Sequence, residues 1–294
     1  MKVRIGVGLG PEGAPGGFGE IIDRLEAAGI DSAWFSELVF GNQIEPFVAM
    51  ANAVGRTKKL KVGTGIAVLP GRSPVLLAKQ LLSLAGLAPG RVLPAFGLRP
   101  ARKEEWQVFP VPPGRRADVF DESMRLLRLL VTEDEVSFDG EFHQVERVTI
   151  GPKPAKPLDI WLAGSAPAAF TRIGRYADGW LGSFLTPEEA GRGRAAIVAA
   201  ATEAGREIED DHYGLSLAVA TGGVPEELLA SARRRRPDAD PSTLIADGWA
   251  HARELLRGYT DVGLSKFVVR PAGPVASYPA FLDEFATELL PLQN

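Results

Sequence analysis

The chain has 294 residues, 45% of them hydrophobic, no cysteine and a formal charge of −4 at pH 7. That length admits one large α/β barrel or two ordinary domains, and the small, mixed charge argues against a nucleic-acid partner or an anionic membrane surface. The lack of cysteine excludes disulfides, thiolate catalysis and zinc–thiolate centres, and the three histidines (His143, His212, His251) have no metal-ligand spacing, so no metal is expected.

Val3–Leu9 is a short apolar run and reads as a buried strand. It is glycine-rich, no basic region precedes it, and nowhere does an apolar run approach the roughly 18 residues of a membrane span. The expectation is a soluble cytoplasmic protein with no membrane partner.

Phe18–Ala28 has helical spacing through Ile21, Ile22 and Leu25, and Gly29 ends it. Ser32–Phe35 reads as the second strand and Pro46–Gly55 as the second helix. Leu60–Val68 with Pro74–Leu84 forms the third unit, and Arg91–Phe96 with Ala117–Leu130 the fourth. The fourth loop, Gly97 to Arg116, is long, with four prolines and several charges, and a loop of that length in a compact domain is usually functional. Glu135–His143 alternates around Asp139-Gly140, the signature of a hairpin.

Leu158–Ala163 with Ala166–Tyr176 is the fifth unit, and Gly179–Ser183 with Pro187–Ala204 the sixth. His212–Thr221 is the seventh strand; its helix is expected within Thr243–Gly258, after a polar, arginine-rich detour. The run Arg233–Arg236 reads as a solvated helix end rather than an anion site. Lys266–Arg270 and Tyr278–Leu290 complete the eighth unit. The strands are apolar on both faces, as buried parallel strands are. The pattern predicts an α/β fold: a single (β/α)8 TIM barrel over residues 1–294, with insertions after strand 4, after helix 4 and before helix 7.

Gly8-Leu9-Gly10-Pro11-Glu12-Gly13 matches the dinucleotide fingerprint G-x-G-x-x-G literally, with Glu37 near the end of the next strand. The mechanics do not match. The third glycine should open the helix that receives a pyrophosphate, yet Pro15-Gly16-Gly17 delay that helix to about Phe18. These glycines read instead as a loop at the mouth of the barrel.

The segment Val62–Lys79, with a small-residue kink at Thr64-Gly65-Ile66 and a turn at Arg72-Ser73-Pro74, resembles the bacterial luciferase-like family of flavin- and coenzyme F420-dependent oxidoreductases. So do Leu81–Leu93, Glu104-Glu105-Trp106 followed by Arg115-Arg116 and Glu122, the hairpin Phe138–Phe142, Ile160–Pro167 and Ala177–Trp180. Together they cover the chain from strand one to about Gly205.

The resemblance implies a cofactor site at two places. Thr64, Gly65 and Ile66 would form a bulge behind the isoalloxazine or deazaflavin ring, with a cis peptide at Gly65–Ile66. Independently of family, glycine there permits unusual dihedrals and close backbone approach. Ala163, Gly164, Ser165 and Ala166 would hold the cofactor phosphate, since small residues at a helix start expose backbone N–H groups. The plainer alternative is that Ser165 merely caps a helix.

For proton exchange the candidate carboxylates are Glu37 and Glu104, with Glu105 beside them. Many relatives carry Asp-His where this chain reads Ser36-Glu37-Leu38, and Pro100 stands where the sugar-phosphate dehydrogenase branch has a glutamate. A sugar-phosphate substrate is therefore not expected. The implied activity is hydride transfer between coenzyme F420 and a small organic substrate; the alternatives are an FMN-dependent monooxygenase using O2 and a cofactor-free barrel serving as a binding or dimer-partner protein. A homodimer is implied by the same likeness.

Overall fold

The computed structural model describes residues 2–9, 16–273, 275 and 277–294. The fingerprint-like glycines Gly10 and Gly13 lie outside the described residues. The elements in chain order are β1 (Arg4–Leu9), α1 (Phe18–Ala27), β2 (Ser32–Phe35), α2 (Pro46–Arg56), β3 (Lys61–Thr64), β4 (Ala67–Val68), α3 (Pro74–Leu87), β5 (Val92–Leu93), β6 (Ala95–Gly97) and α4 (Arg116–Thr132). There follow β7 (Val136–Asp139), β8 (Gln144–Val148), β9 (Trp161–Ala163), α5 (Pro167–Tyr176), β10 (Gly179–Ser183) and α6 (Pro187–Glu203). The chain closes with β11 (Tyr213–Ala220), α7 (Glu226–Arg235), β12 (Ile245–Asp247), α8 (Gly248–Asp261), β13 (Lys266–Pro271) and α9 (Tyr278–Leu289).

The result is an α/β fold on a curled parallel sheet. β1 lies between β13 and β2, β2 pairs with β3, and β3 with β5. Further round, β4 pairs with β6, β6 with β9, β9 with β10, β10 with β11, and β11 with β13. The sequence read Leu60–Val68 and Arg91–Phe96 as single strands. Each is broken in two, the first at Gly65–Ile66 and the second at Pro94, which has no N–H to give to a ladder. Counting across Pro94, the neighbours return to β1.

Bulky rings fill the inside of the curl where neighbouring strands carry glycine. Trp34 lies over Gly63, where an added Cβ would sit 2.7 Å from Trp34 Cε3. Trp161 lies against Gly179, and the two indoles meet edge to face at 6.3 Å. Ala95, Leu181 and Val268 complete this inner cluster, with Ile66 and Leu93 packed against it. At the N-terminal ends of the strands sits an ionic cluster. The Asp31 carboxylate takes Lys266, Lys61 at 3.1 Å and Arg4 at 3.8 Å, and only 6% of the Lys266 side chain is exposed.

The hairpin expected around Asp139-Gly140 is present as antiparallel β7–β8. Glu122 on α4 anchors its turn, accepting the N–H groups of Glu141, Phe142 and His143 at 2.7–2.9 Å. Burial alone would raise the Glu122 pKa, but the three N–H bonds outweigh it and hold the group below its ordinary value.

The expected polar detour contains a helix, α7. Its periodicity is invisible because only Ala232 is buried, while acidic Glu226 and Glu227 open it and Arg233–Arg235 close it, matching the helix dipole. The run is not wholly solvated: Arg236 is 18% exposed and pairs with Glu189 and Asp238. The helix expected within Thr243–Gly258 starts inside that range, at Gly248, and runs on to Asp261; ahead of it Ile245–Asp247 forms an unexpected strand paired in parallel with β11. Three residues are too few to show a period.

Candidate active site

The C-terminal ends of β2, β3 and β6, with the start of α5, form the candidate site. Between β3 and β4 the Gly65–Ile66 peptide is cis, at the bond the resemblance points to. The end of β2 holds this bulge from one side. Gly65 N–H donates to Phe35 O at 2.8 Å, the Ser36 hydroxyl donates to Gly65 O at 3.0 Å, and Glu37 N–H donates to Ile66 O at 3.3 Å. On the other side Gly97 has no side chain to obstruct Ile66.

Thr64 is wholly buried, and its hydroxyl is committed between strands. It donates to Ala95 O at 2.6 Å and accepts Ala95 N–H at 2.8 Å, bridging the break in the ladder beside Pro94. Gly65 and Ile66 are half-buried, so backbone and an apolar side chain are what the bulge offers a ligand.

Glu37 is placed at the end of β2, as expected, but its carboxylate is engaged. It accepts Val68 N–H at 2.8 Å and a hydrogen bond from the Arg72 guanidinium, and its side chain is 4% exposed. Arg72 Nε in turn donates to Val68 O at 2.7 Å, and the guanidinium lies against the rings of Phe47 and Phe109. Burial pushes the Arg72 pKa down. Glu37 and Arg72 thus fasten the strand end to the chain beyond the bulge.

Of the adjacent carboxylates in the fourth loop, Glu104 is exposed and Glu105 fully buried. Glu105 accepts Phe40 N–H at 3.0 Å through one oxygen, while the other has no partner among the described residues. The structure therefore brings Glu37 beside the bulge and leaves Glu104 on the loop surface.

The second expected binding segment lies two strands away, since β6 separates β4 from β9. At strand spacing that is about 10 Å. Ala163 ends β9, Gly164 has a positive φ of 137°, and Trp180 Nε1 donates to Gly164 O at 2.9 Å. The N-cap of α5 is Ala166, with no side-chain cap, so Ser165 does not play the capping role of the plainer reading. Ser165 and Ala166 are exposed and border a groove of about 700 Å3 that continues past Phe170, Glu189, Arg192 and Arg236. An uncapped, small-residue helix start can receive a phosphate, and a half-buried bulge at this separation can back a planar ring; the residues present fit such a cofactor.

Sequence reasoning did not find the roles of Ser36 and Arg72. Arg72 was visible as part of the turn before α3, but its pairing with Glu37, 35 residues away, has no local signal.

Residues 1–263 match the model of the family described as luciferase-like monooxygenase. An uncharacterized protein of Mycobacterium tuberculosis is 34% identical over 174 residues, covering 59% of this chain and 60% of that protein. The chain thus spans about 60% of the length of such relatives. An F420-dependent glucose-6-phosphate dehydrogenase of Kineococcus radiotolerans is 25% identical over 323 aligned residues, covering 95% of this chain and 93% of the relative. Among solved structures, an F420-dependent secondary alcohol dehydrogenase in complex with an F420–acetone adduct superposes with a TM-score of 0.80 at 18% identity, covering all of both chains; at that identity the likeness concerns the fold. No helix among the described residues is long and apolar enough to cross a membrane.

Proposed function

The chain belongs to the luciferase-like monooxygenase family, and from that premise we propose that it is a coenzyme F420-dependent oxidoreductase acting on a small organic substrate. The observation that carries this reading is the pairing of the Gly65–Ile66 bulge with the uncapped start of α5 two strands away. The full-length likeness to an F420-dependent dehydrogenase supports F420 over FMN. On this reading the curled sheet is the (β/α)8 barrel of the family, a single domain with insertions after strand 4, after helix 4 and before helix 7, working as a cytoplasmic homodimer.

When bound, the deazaflavin would supply the hydride donor or acceptor. Gly65 and Ile66 would back its ring, with Thr64 fixing the bulge from behind. The backbone of Ala163, Gly164, Ser165 and Ala166 would hold its phosphate. Glu37 would position the bulge through Val68 and Arg72, and Glu104, exposed on the loop, is the carboxylate left for proton exchange. The inner cluster of Trp34 and Trp161 would keep water from the underside of the site. Leu38 and Pro100 argue against a sugar phosphate as substrate. The family's description as monooxygenases favours, as a second reading, an FMN enzyme that uses O2.

Fluorescence titration of the apo-protein with F420 and, separately, FMN tests these readings. Tight F420 and weak FMN binding is the expected result. The reverse moves the assignment to the monooxygenase, and binding of neither makes the barrel a binding or dimer-partner protein.

A further inference from the structure

Resting on the assignment of the strand C-terminal ends as the reactive face, we propose that Arg99 and Arg116 bind an oxyanion of the substrate, a carboxylate or phosphate group. Arg99 stands two residues beyond the end of β6, and its guanidinium lies 4.8 Å from the centre of the Trp106 ring. Arg116 opens α4 at the far end of the same loop. Its Nη2 donates to Phe109 O at 2.8 Å, while its Nη1 is buried without an acceptor among the described residues.

A buried guanidinium N–H without a partner is costly. Arg116 also stands at a helix N-terminus, where the dipole disfavours a cation. Its neighbour in sequence shows the usual remedy: Arg115 is paired with Asp118 and Glu141. Arg72, stacked on the Phe109 ring, is paired with Glu37. Among the described residues neither Arg99 nor Arg116 has an ion-pair partner. Burial, and then the charge of Arg99, push the Arg116 pKa down, with no carboxylate opposing them.

An oxyanion between the two groups would satisfy Nη1, separate the like charges and offset the dipole together. Arginine suits this task because its planar fork meets carboxylate or phosphate with two parallel bonds. Trp106 would hold Arg99 in place by stacking.

The test is calorimetric titration of the full-length apo-protein with inorganic phosphate and with succinate at low ionic strength, against chloride at matched ionic strength. Arg99→Ala and Arg116→Gln should each weaken binding about tenfold, the loss expected for a charged hydrogen bond. Arg116→Lys, which keeps the charge but not the fork, should fall between. Arg116 also holds Phe109, so its variant is checked by circular dichroism; Arg99→Ala carries the test if that variant unfolds.

Unchanged binding in Arg99→Ala would overturn the proposal. So would wild-type heats no larger than those of chloride, which would leave Nη1 to an ordered water. Repeating the titration at saturating F420 separates the two sources of an oxyanion. Retained phosphate binding assigns the site to substrate, and displacement assigns it to the cofactor and overturns the proposal. Arginine-dependent phosphate binding by a protein that takes neither F420 nor FMN would uphold the anion site while sinking the cofactor reading.

Discussion

The two ends of the curled sheet each bury a carboxylate against arginine or lysine, yet they handle charge differently. At the N-terminal end Asp31 receives three cations, and each of them touches that one carboxylate. At the C-terminal end Glu37 takes one cation and one backbone N–H, while Arg99 and Arg116 have no ion-pair partner among the described residues. The first arrangement finishes the fold; the second leaves donors over. If the proposed anion site is right, incomplete compensation of charge, rather than the presence of buried charge, distinguishes the two ends.

The sharpest way to break this contrast is Asp31→Asn, which strips Lys266 of its carboxylate. Removing one partner of a buried pair costs about 3–5 kcal/mol, read by urea unfolding. The pH dependence gives a second reading. Burial alone would raise the Asp31 pKa, but Lys266 and Lys61 outweigh it and hold the group below 3.8. The unfolded chain therefore takes up this proton first as pH falls. Asp31's contribution is full above its unfolded value of 3.8, and is lost toward acid. In Asp31→Asn that part of the acid loss should disappear from the stability curve.

Glu37→Gln should cost less, about 2 kcal/mol, because Val68 N–H keeps an acceptor and Arg72 retains Val68 O. Its larger effect should fall on cofactor affinity, weakened about tenfold through the displaced bulge. Unchanged affinity with a collapse in turnover would instead make Glu37 a proton-exchanging group. The smallest effect is expected from Ser36→Ala, which removes one hydrogen bond to Gly65 O for about 1 kcal/mol. A larger stability loss than for Glu37→Gln would show that the hydroxyl, not the ion pair, holds the bulge.

Most of the fold was legible because buried parallel strands and amphipathic helices announce themselves through apolar runs and period. What escaped was short or polar. β12 is three residues long, and α7 buries a single alanine, so neither leaves a usable pattern. The position of the bulge was legible from Thr64-Gly65-Ile66, and that of the α5 start from its small residues. The partners of those segments were not. Thr64 bonds to Ala95 and Glu37 to Arg72 across 31 and 35 residues, distances over which sequence pattern carries no register. Glu104 and Glu105 are equal in sequence, yet one is exposed and the other wholly enclosed; only the turn of the loop decides between them.

Trp34 and Trp161 occupy the room that Gly63 and Gly179 leave, and Ile66 of the bulge packs against that layer. On the proposed function, a ligand at the open end would rest on this packed layer rather than sink into the sheet. Selectivity would then be written in the loops, above all 97–116, whose buried members Glu105 and Phe109 a redesign has to keep. For protein engineering, this separates the scaffold from the vocabulary: exposed loop positions such as Glu104 are open to change, while the layer beneath Ile66 stays as it is.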